Sequence, residues 1–262
     1  MSIKEQAEAL PSSISHFNFI MSKPILYTFP LSVWAAVPEV ARIELGYQSE
    51  SIESKVINLV NGENFNPEFL KINPNATLPA LVAEGRTYTT TTDVVRYLIG
   101  HAPKKVPYGN PALISRIHED SLDPNFPLLA ARDETSLSAA SSGFASVFVN
   151  NRQNALLKYV DTPEAEPFKT SVFEPKIQAN GAVLDIYTGK ASDEVKQVFF
   201  KQCTQHWNNI SDFILKELPG YLPESGFING DVPGEDDFHI GIWLVRIANL
   251  CGGTPTKDSY RC

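Results

Sequence analysis

Apolar positions change period near residue 101. Before it they come in short runs; after it they recur every three or four residues. Ile25 to Phe29 (ILYTF) is a continuous apolar, β-prone run closed by Pro30, which predicts a buried strand. From Trp34 to Leu45, apolar Val37, Val40, Ala41 and Leu45 fall at helical spacing, and Gly46 is a C-terminal stop. Ser51 to Leu59 alternates imperfectly and predicts a second strand. Pro67 to Ile72 predicts a short helix with proline in its first turn. Leu78 to Val82 predicts a strand, Glu84-Gly85 a turn, and Arg86 to Tyr88 the returning hairpin strand. Thr91 or Thr92 then caps a helix through Val94, Val95, Tyr97 and Leu98 to Gly100.

This order, βαβ then αββα, suits a small sheet covered by helices. Helices are expected over 112–120, 134–159, 168–187, 192–217 and 235–250, where Phe199, Cys203, Trp207, Ile210 and Ile214 keep a helical period. Residues 102–111 are rich in proline and glycine and predict a linker. The expected division is an N-terminal extension over 1–22, an α/β domain over 23–101, the linker over 102–111, and an all-α bundle over 112–262. Met21 opens MSKPILYTF, which reads as the usual start of a domain.

Composition narrows the partners. Lys plus Arg number 22 and Asp plus Glu 30, a formal net charge of −8. Such a chain repels phosphate backbones at long range, so nucleic acid is not an expected partner. Cys203, Cys251 and Cys262 form no CxxC pair, and an odd count does not suit a disulfide framework; a reducing cytoplasm is expected. No apolar run approaches the ~20 residues that span a bilayer. MSIKEQAEALPSSISHF has no continuous apolar core for a signal peptide. There is no HExxH, P-loop or GxGxxG, and no metal is expected.

The ordered set ILYTF, a turn carrying Ser32, a helix ending at Gly46, NPEFLKINPNATLPALV and a hydroxyl-rich turn before VVRYL resembles the cytosolic glutathione transferases. The resemblance runs from about Pro24 to Leu98 and resumes at PGEDDFHIGIWL. SVWAAVPEVARIELGY and PGEDDFHIGIWLVRI are similar to transferases of filamentous fungi. It implies a thioredoxin-like glutathione-binding domain, a helical substrate-binding domain, and a homodimer. Glutathione is then the co-substrate, and the second substrate is a small hydrophobic electrophile. The alternatives are a glutathione-dependent cis/trans isomerase of an activated alkene in secondary metabolism, and a non-catalytic ligandin. Relatives continue beyond the last predicted helix, so a truncated end or a more open pocket is expected.

The resemblance assigns residues. Ser32 lies fourteen residues before Gly46, the family's offset for the residue that activates the thiol. It is the expected catalytic residue, against the plainer reading of a helix cap; Tyr27 is the backup donor. Serine where some relatives carry cysteine removes mixed-disulfide chemistry. Leu78-Pro79 matches the family's cis-proline element, which aims the preceding backbone at glutathione like an added strand. Thr90 and Thr91 fall where relatives carry Glu or Gln followed by Ser. Thr91 keeps a hydroxyl suited to the γ-glutamyl carboxylate. Asn64 and Thr77 occupy positions of glycyl-carboxylate contacts, with solvated loop residues as the plainer reading. Trp34 and Phe126 are the expected walls of an apolar substrate pocket. Asp237 matches a structural capping aspartate, with Gly234 in place of the usual hydroxyl. His239 is expected to pack; His118 and Arg132 have either a pocket role or, on the plainer reading, a surface one.

Overall fold

A computed structural model describes residues 23–253. The N-terminal elements are β1 (Ile25–Thr28), α1 (Val33–Glu44), β2 (Glu53–Val56), α2 (Pro67–Leu70), β3 (Ala80–Ala83), β4 (Arg86–Tyr88) and α3 (Thr91–Gly100). The sheet order is β2-β1-β3-β4. β1 runs parallel to β2 and antiparallel to β3, with Leu26 opposite Leu81 and Tyr27 opposite Ala80. This is a thioredoxin-like domain, and it is followed by helices.

Strand alternation sorts the side chains onto two faces. Leu26 and Leu81 point toward α1 and α3, where Val37, Ala41, Val95 and Leu98 complete one core. Tyr27 and Ala80 point the other way and pack with Phe69, Leu78 and Ala35. The β2 strand is shorter than its alternation suggested, and all four of its residues are exposed at the sheet edge. Glu84 and Gly85 both take positive φ, 52° and 73°, and make the tight hairpin turn between β3 and β4. Gly46, at φ 78°, ends α1 as expected. The cap of α3 is Thr90 rather than Thr91 or Thr92, because its hydroxyl accepts from Asp93 N–H at 3.1 Å.

The helical part contains α4 (Pro111–Ile117), α5 (Glu134–Ser142), α6 (Phe144–Tyr159), α7 (Glu174–Tyr187), α8 (Asp193–Asp212) and α9 (Glu235–Leu250). The expected helix over 134–159 is two helices. Gly143 is extended, at φ −106° and ψ −166°, and ends α5. The stretch 168–187 opens with a π turn at Lys169–Phe173, and α7 starts only with Pro175 in its first turn. The stretch over 192–217 opens at a Ser192 cap and ends in a π turn, Phe213–Glu217.

What joins the two parts is the first turn of α9. Glu235 and Asp236 are both fully buried. Glu235 accepts from Arg96 of α3 at 2.8 Å and from the N–H of Gly109 at 2.8 Å. Asp236 accepts from the N–H of Asn110 at 2.9 Å and from the side chain of Asn229. Carboxylates at a helix N-terminus gain from the helix dipole, and several donors offset their desolvation. The half-buried Asp237 accepts from the N–H of Gly234 at 2.9 Å and of Ile228 at 3.0 Å. One half of a capping box is thus kept without the hydroxyl partner. The linker is pinned rather than loose, and α1 and α3 both pack on α9.

Gly109 is where this arrangement is tightest. A Cβ there would lie 2.6 Å from Ile114 Cδ1 and 2.7 Å from Asp236 Oδ1. Gly109→Ala is therefore expected to lower unfolding stability by about 1–3 kcal/mol. Gly241→Ala, in α9 with nothing within 4 Å of its Cβ, is expected to be neutral or stabilising by up to ~1 kcal/mol. Urea unfolding of both variants checks the pair; equal effects would contradict the close approach.

Candidate functional site

The turn between β1 and α1 folds by its own polar groups. Ser32 N–H donates to Phe29 C=O at 2.9 Å, and Ser32 Oγ accepts from Ala35 N–H at 3.3 Å. The serine is thus a helix cap, half-buried at the N-terminus of a helix of 12 residues. That bond uses an oxygen lone pair. The hydroxyl proton has no acceptor among the described residues. Behind the turn, Arg246 of α9 donates to the C=O of Leu31, the residue before Ser32. Burial pulls the Arg246 pKa down from its usual value, but a guanidinium stays charged at any ordinary pH.

The Leu78–Pro79 peptide bond is cis. Leu78 is buried in one core cluster with Tyr27, Phe29 and Ala35; the last two flank the β1–α1 turn. Tyr27 packs against Phe69, with ring centroids 5.8 Å apart. Asn64 is 2% exposed, so it is not a solvated loop residue. Its Nδ2 donates to Ala76 C=O at 2.8 Å, and its Oδ1 is buried with no partner among the described residues. Asn73 does the same for Thr77, donating to its C=O at 2.8 Å; the Thr77 side chain is exposed. Asn64 and Asn73 thereby shape the chain that leads into Leu78-Pro79.

At the start of α3, the Thr90 hydroxyl is committed to Asp93, to whose carboxylate it donates at 2.7 Å. Thr91 is buried and its hydroxyl has no partner among the described residues. Thr90, Thr91 and Thr92 line one side of a cavity of about 570 Å³; Ile114, Ser115, His118 and Glu119 line the other. The cavity thus lies between the two parts of the protein.

Trp34 and Phe126 are not brought together. Trp34 packs where the sheet-side core meets that of α4, α8 and α9. Its ring stacks on His118, with centroids 4.0 Å apart. Phe126 lies against His206, at 4.5 Å, in the core formed by α5 to α8. An apolar depression of about 390 Å³ between α7 and α8, lined by Val183, Ile186, Val198 and Phe199, contains neither ring.

Sequence reasoning did not find the pairing of His118 with His239. His118 Nε2 and His239 Nδ1 are 2.9 Å apart, although the residues are separated by 121 positions. His239 is fully buried, and His118 is half-buried rather than a surface residue. Burial holds the His118 pKa down to about 4. Burial, His118 and Arg96 hold His239 down to about 3. Both rings are neutral near pH 7. No group of three or more metal-ligating side chains occurs among the described residues.

Residues 26–108 match the sequence family described as the glutathione S-transferase N-terminal domain. Over 74 residues the chain is similar to glutathione S-transferase D7 of Drosophila melanogaster, at 32% identity, covering 28% of this chain and 32% of that protein. It is also similar to a zeta-class glutathione S-transferase of Euphorbia esula, 34% identical over 82 residues, 31% of this chain and 34% of that protein. The match thus spans about a third of the length of these relatives. Among solved structures, human glutathione-S-transferase T1-1 aligns over 91% of this chain and 78% of its own, at 15% identity and a TM-score of 0.41. A glutathione transferase of Phanerochaete chrysosporium, solved with oxidized glutathione, aligns over 90% and 83%, at 14% identity and a TM-score of 0.45.

Leu78 shares a core cluster with Phe29 and Ala35, which flank the Ser32 turn, and Thr90 with Thr91 belongs to the cavity. The histidine pair gives an acid limb to stability. Unfolded imidazoles titrate near ~6.5. Below that pH the unfolded chain binds more protons than the folded one, so stability is full above ~6.5 and falls as pH drops toward about 4. His239→Leu is expected to flatten this limb in urea midpoints taken at fixed ionic strength. An unchanged slope would show that the pair does not titrate as described.

Proposed function

We propose that the protein is a glutathione S-transferase that ionises the glutathione thiol at Ser32 for attack on a small hydrophobic electrophile. The observation that carries this reading is the Ser32 hydroxyl. It sits at a helix N-terminus, in a turn whose flanking Phe29 and Ala35 share a core cluster with Leu78, and its proton is uncommitted among the described residues. A free thiol has a pKa of ~8.5, and lowering it by two units needs ~2.7 kcal/mol. A hydrogen bond to a charged acceptor supplies ~1.5–3 kcal/mol. The helix N-terminus adds ~0.3–1 kcal/mol for an anion. The two together reach the required magnitude without a metal or a second base.

The rest of the ligand follows the same logic. The backbone of Leu78 would pair with the cysteinyl main chain, as an added strand does. The N-terminus of α3 at Thr91 would take the γ-glutamyl carboxylate. Thr90 supplies little, since its hydroxyl is held by Asp93. Asn64 and Asn73 shape the loop that carries Thr77, where the glycyl carboxylate would lie. Serine at position 32 favours conjugation over thiol–disulfide exchange. Reversible addition to an activated alkene, giving an isomerase, would use the same thiolate, and no residue described here selects it.

Thiolate absorbance of bound glutathione, titrated against pH, tests the proposal. The bound thiol is expected to ionise at least one unit below free glutathione, and Ser32→Ala is expected to lose most of that shift. Binding with an unshifted thiol, or no binding, would leave a ligand-carrying role instead.

A further inference from the structure

We propose that His239 fixes His118 as the tautomer protonated at Nδ1, and that this N–H serves the interdomain cavity as a donor to a carboxylate or carbonyl oxygen of the bound ligand. The tautomer follows from the structure alone; the ligand assignment rests on the glutathione reading above.

Two neutral imidazoles 2.9 Å apart share one N–H between them. Only two arrangements exist. If His118 Nε2 donates, His239 must carry its own proton on Nε2, because its Nδ1 is then the acceptor. That nitrogen is buried without a partner among the described residues. An orphaned buried N–H is the arrangement folded proteins avoid. If His239 Nδ1 donates instead, its Nε2 is a bare lone pair. His118 Nε2 is then the acceptor, and its proton sits on Nδ1.

The place of that N–H gives it a use. His118 Nδ1 has no partner among the described residues, and the residue lines the cavity opposite Thr90, Thr91 and Thr92. The Trp34 ring holds the imidazole plane by stacking, and Trp34 is two residues beyond Ser32. A neutral donor in a fixed tautomer opposite a helix N-terminus suits an oxygen acceptor. Two sources are chemically equivalent here: the γ-glutamyl carboxylate of glutathione and a carbonyl on the second substrate. A thiolate adding to an enone sends the alkene pair onto that carbonyl oxygen, so a donor there would also strengthen as the reaction proceeds.

Nitrogen-15 long-range spectra of the histidine-labelled full chain at neutral pH, without ligand, test the tautomer. His118 is expected to be protonated at Nδ1 with Nε2 bare, and a ring protonated at Nε2 overturns the proposal whether or not the protein is a transferase. Glutathione and cinnamaldehyde are then added separately. The one that moves the His118 Nδ1–H resonance identifies the oxygen. His118→Phe is expected to weaken that probe about five- to tenfold, and His118→Asn, which keeps a nearby donor, to restore most of it. If neither probe moves the resonance and His118→Phe binds both as the wild type does, the donor role is excluded. Glutathione affinity of the wild type, measured in parallel, separates that result from a failure to bind glutathione at all.

Discussion

Two buried carboxylates at the start of α9 set the relation between the two halves of this protein. Glu235 and Asp236 have no exposed surface, so each must be neutralised by what it binds. Their partners come from three places: Arg96 on α3, the N–H groups of Gly109 and Asn110 in the linker, and Asn229 in the loop before α9. Removing any of these donors leaves charge buried with less compensation, which is among the larger destabilising events in a folded chain. The docking is therefore specified by hydrogen-bond geometry as well as by apolar contact.

The candidate site inherits that geometry. Its thioredoxin-like half supplies Ser32, the cis Leu78-Pro79 backbone and the N-terminus of α3. Its helical half supplies His118, Glu119 and, through Leu31, the brace from Arg246. Neither half contains the cavity alone. His239 lies one helical turn beyond Glu235 on α9, so the helix that carries the carboxylates also orients the imidazole facing the cavity. A shift of α9 would disturb the linker, the histidine pair and the Ser32 turn together.

What was legible in the sequence was local. The ends of α1, the β3–β4 hairpin and the span of α9 rest on short-range signals: a serine cap, a glycine with positive φ, an acidic first turn. The break at Gly143 was not legible, because a single glycine inside a helical period is usually tolerated. The α3 cap was expected at Thr91 or Thr92 and lies at Thr90, in a run of four threonines any of which could cap. At the site, Ser32 and Leu78-Pro79 could be picked out, but the burial of Asn64 could not, since its partner at Ala76 lies across a loop. In the sequence Glu235 and Asp236 have the pattern of any acidic, solvated helix start. Arg96, Gly109 and Asn110, the partners that tie them to the rest of the chain, lie more than a hundred positions away, and no periodicity encodes such a pairing. The histidine pair was hidden for the same reason.

Amide hydrogen exchange at Gly109 and Asn110 measures the central claim most directly. These N–H groups lie in a stretch with the composition of a flexible linker, yet both are held by buried carboxylates. The account predicts that they exchange slowly, with opening free energies near those of core amides such as Leu98, because releasing them requires the two halves to separate. Exchange as fast as in an exposed loop would contradict it, and would mean that the interdomain cavity is not held in one shape.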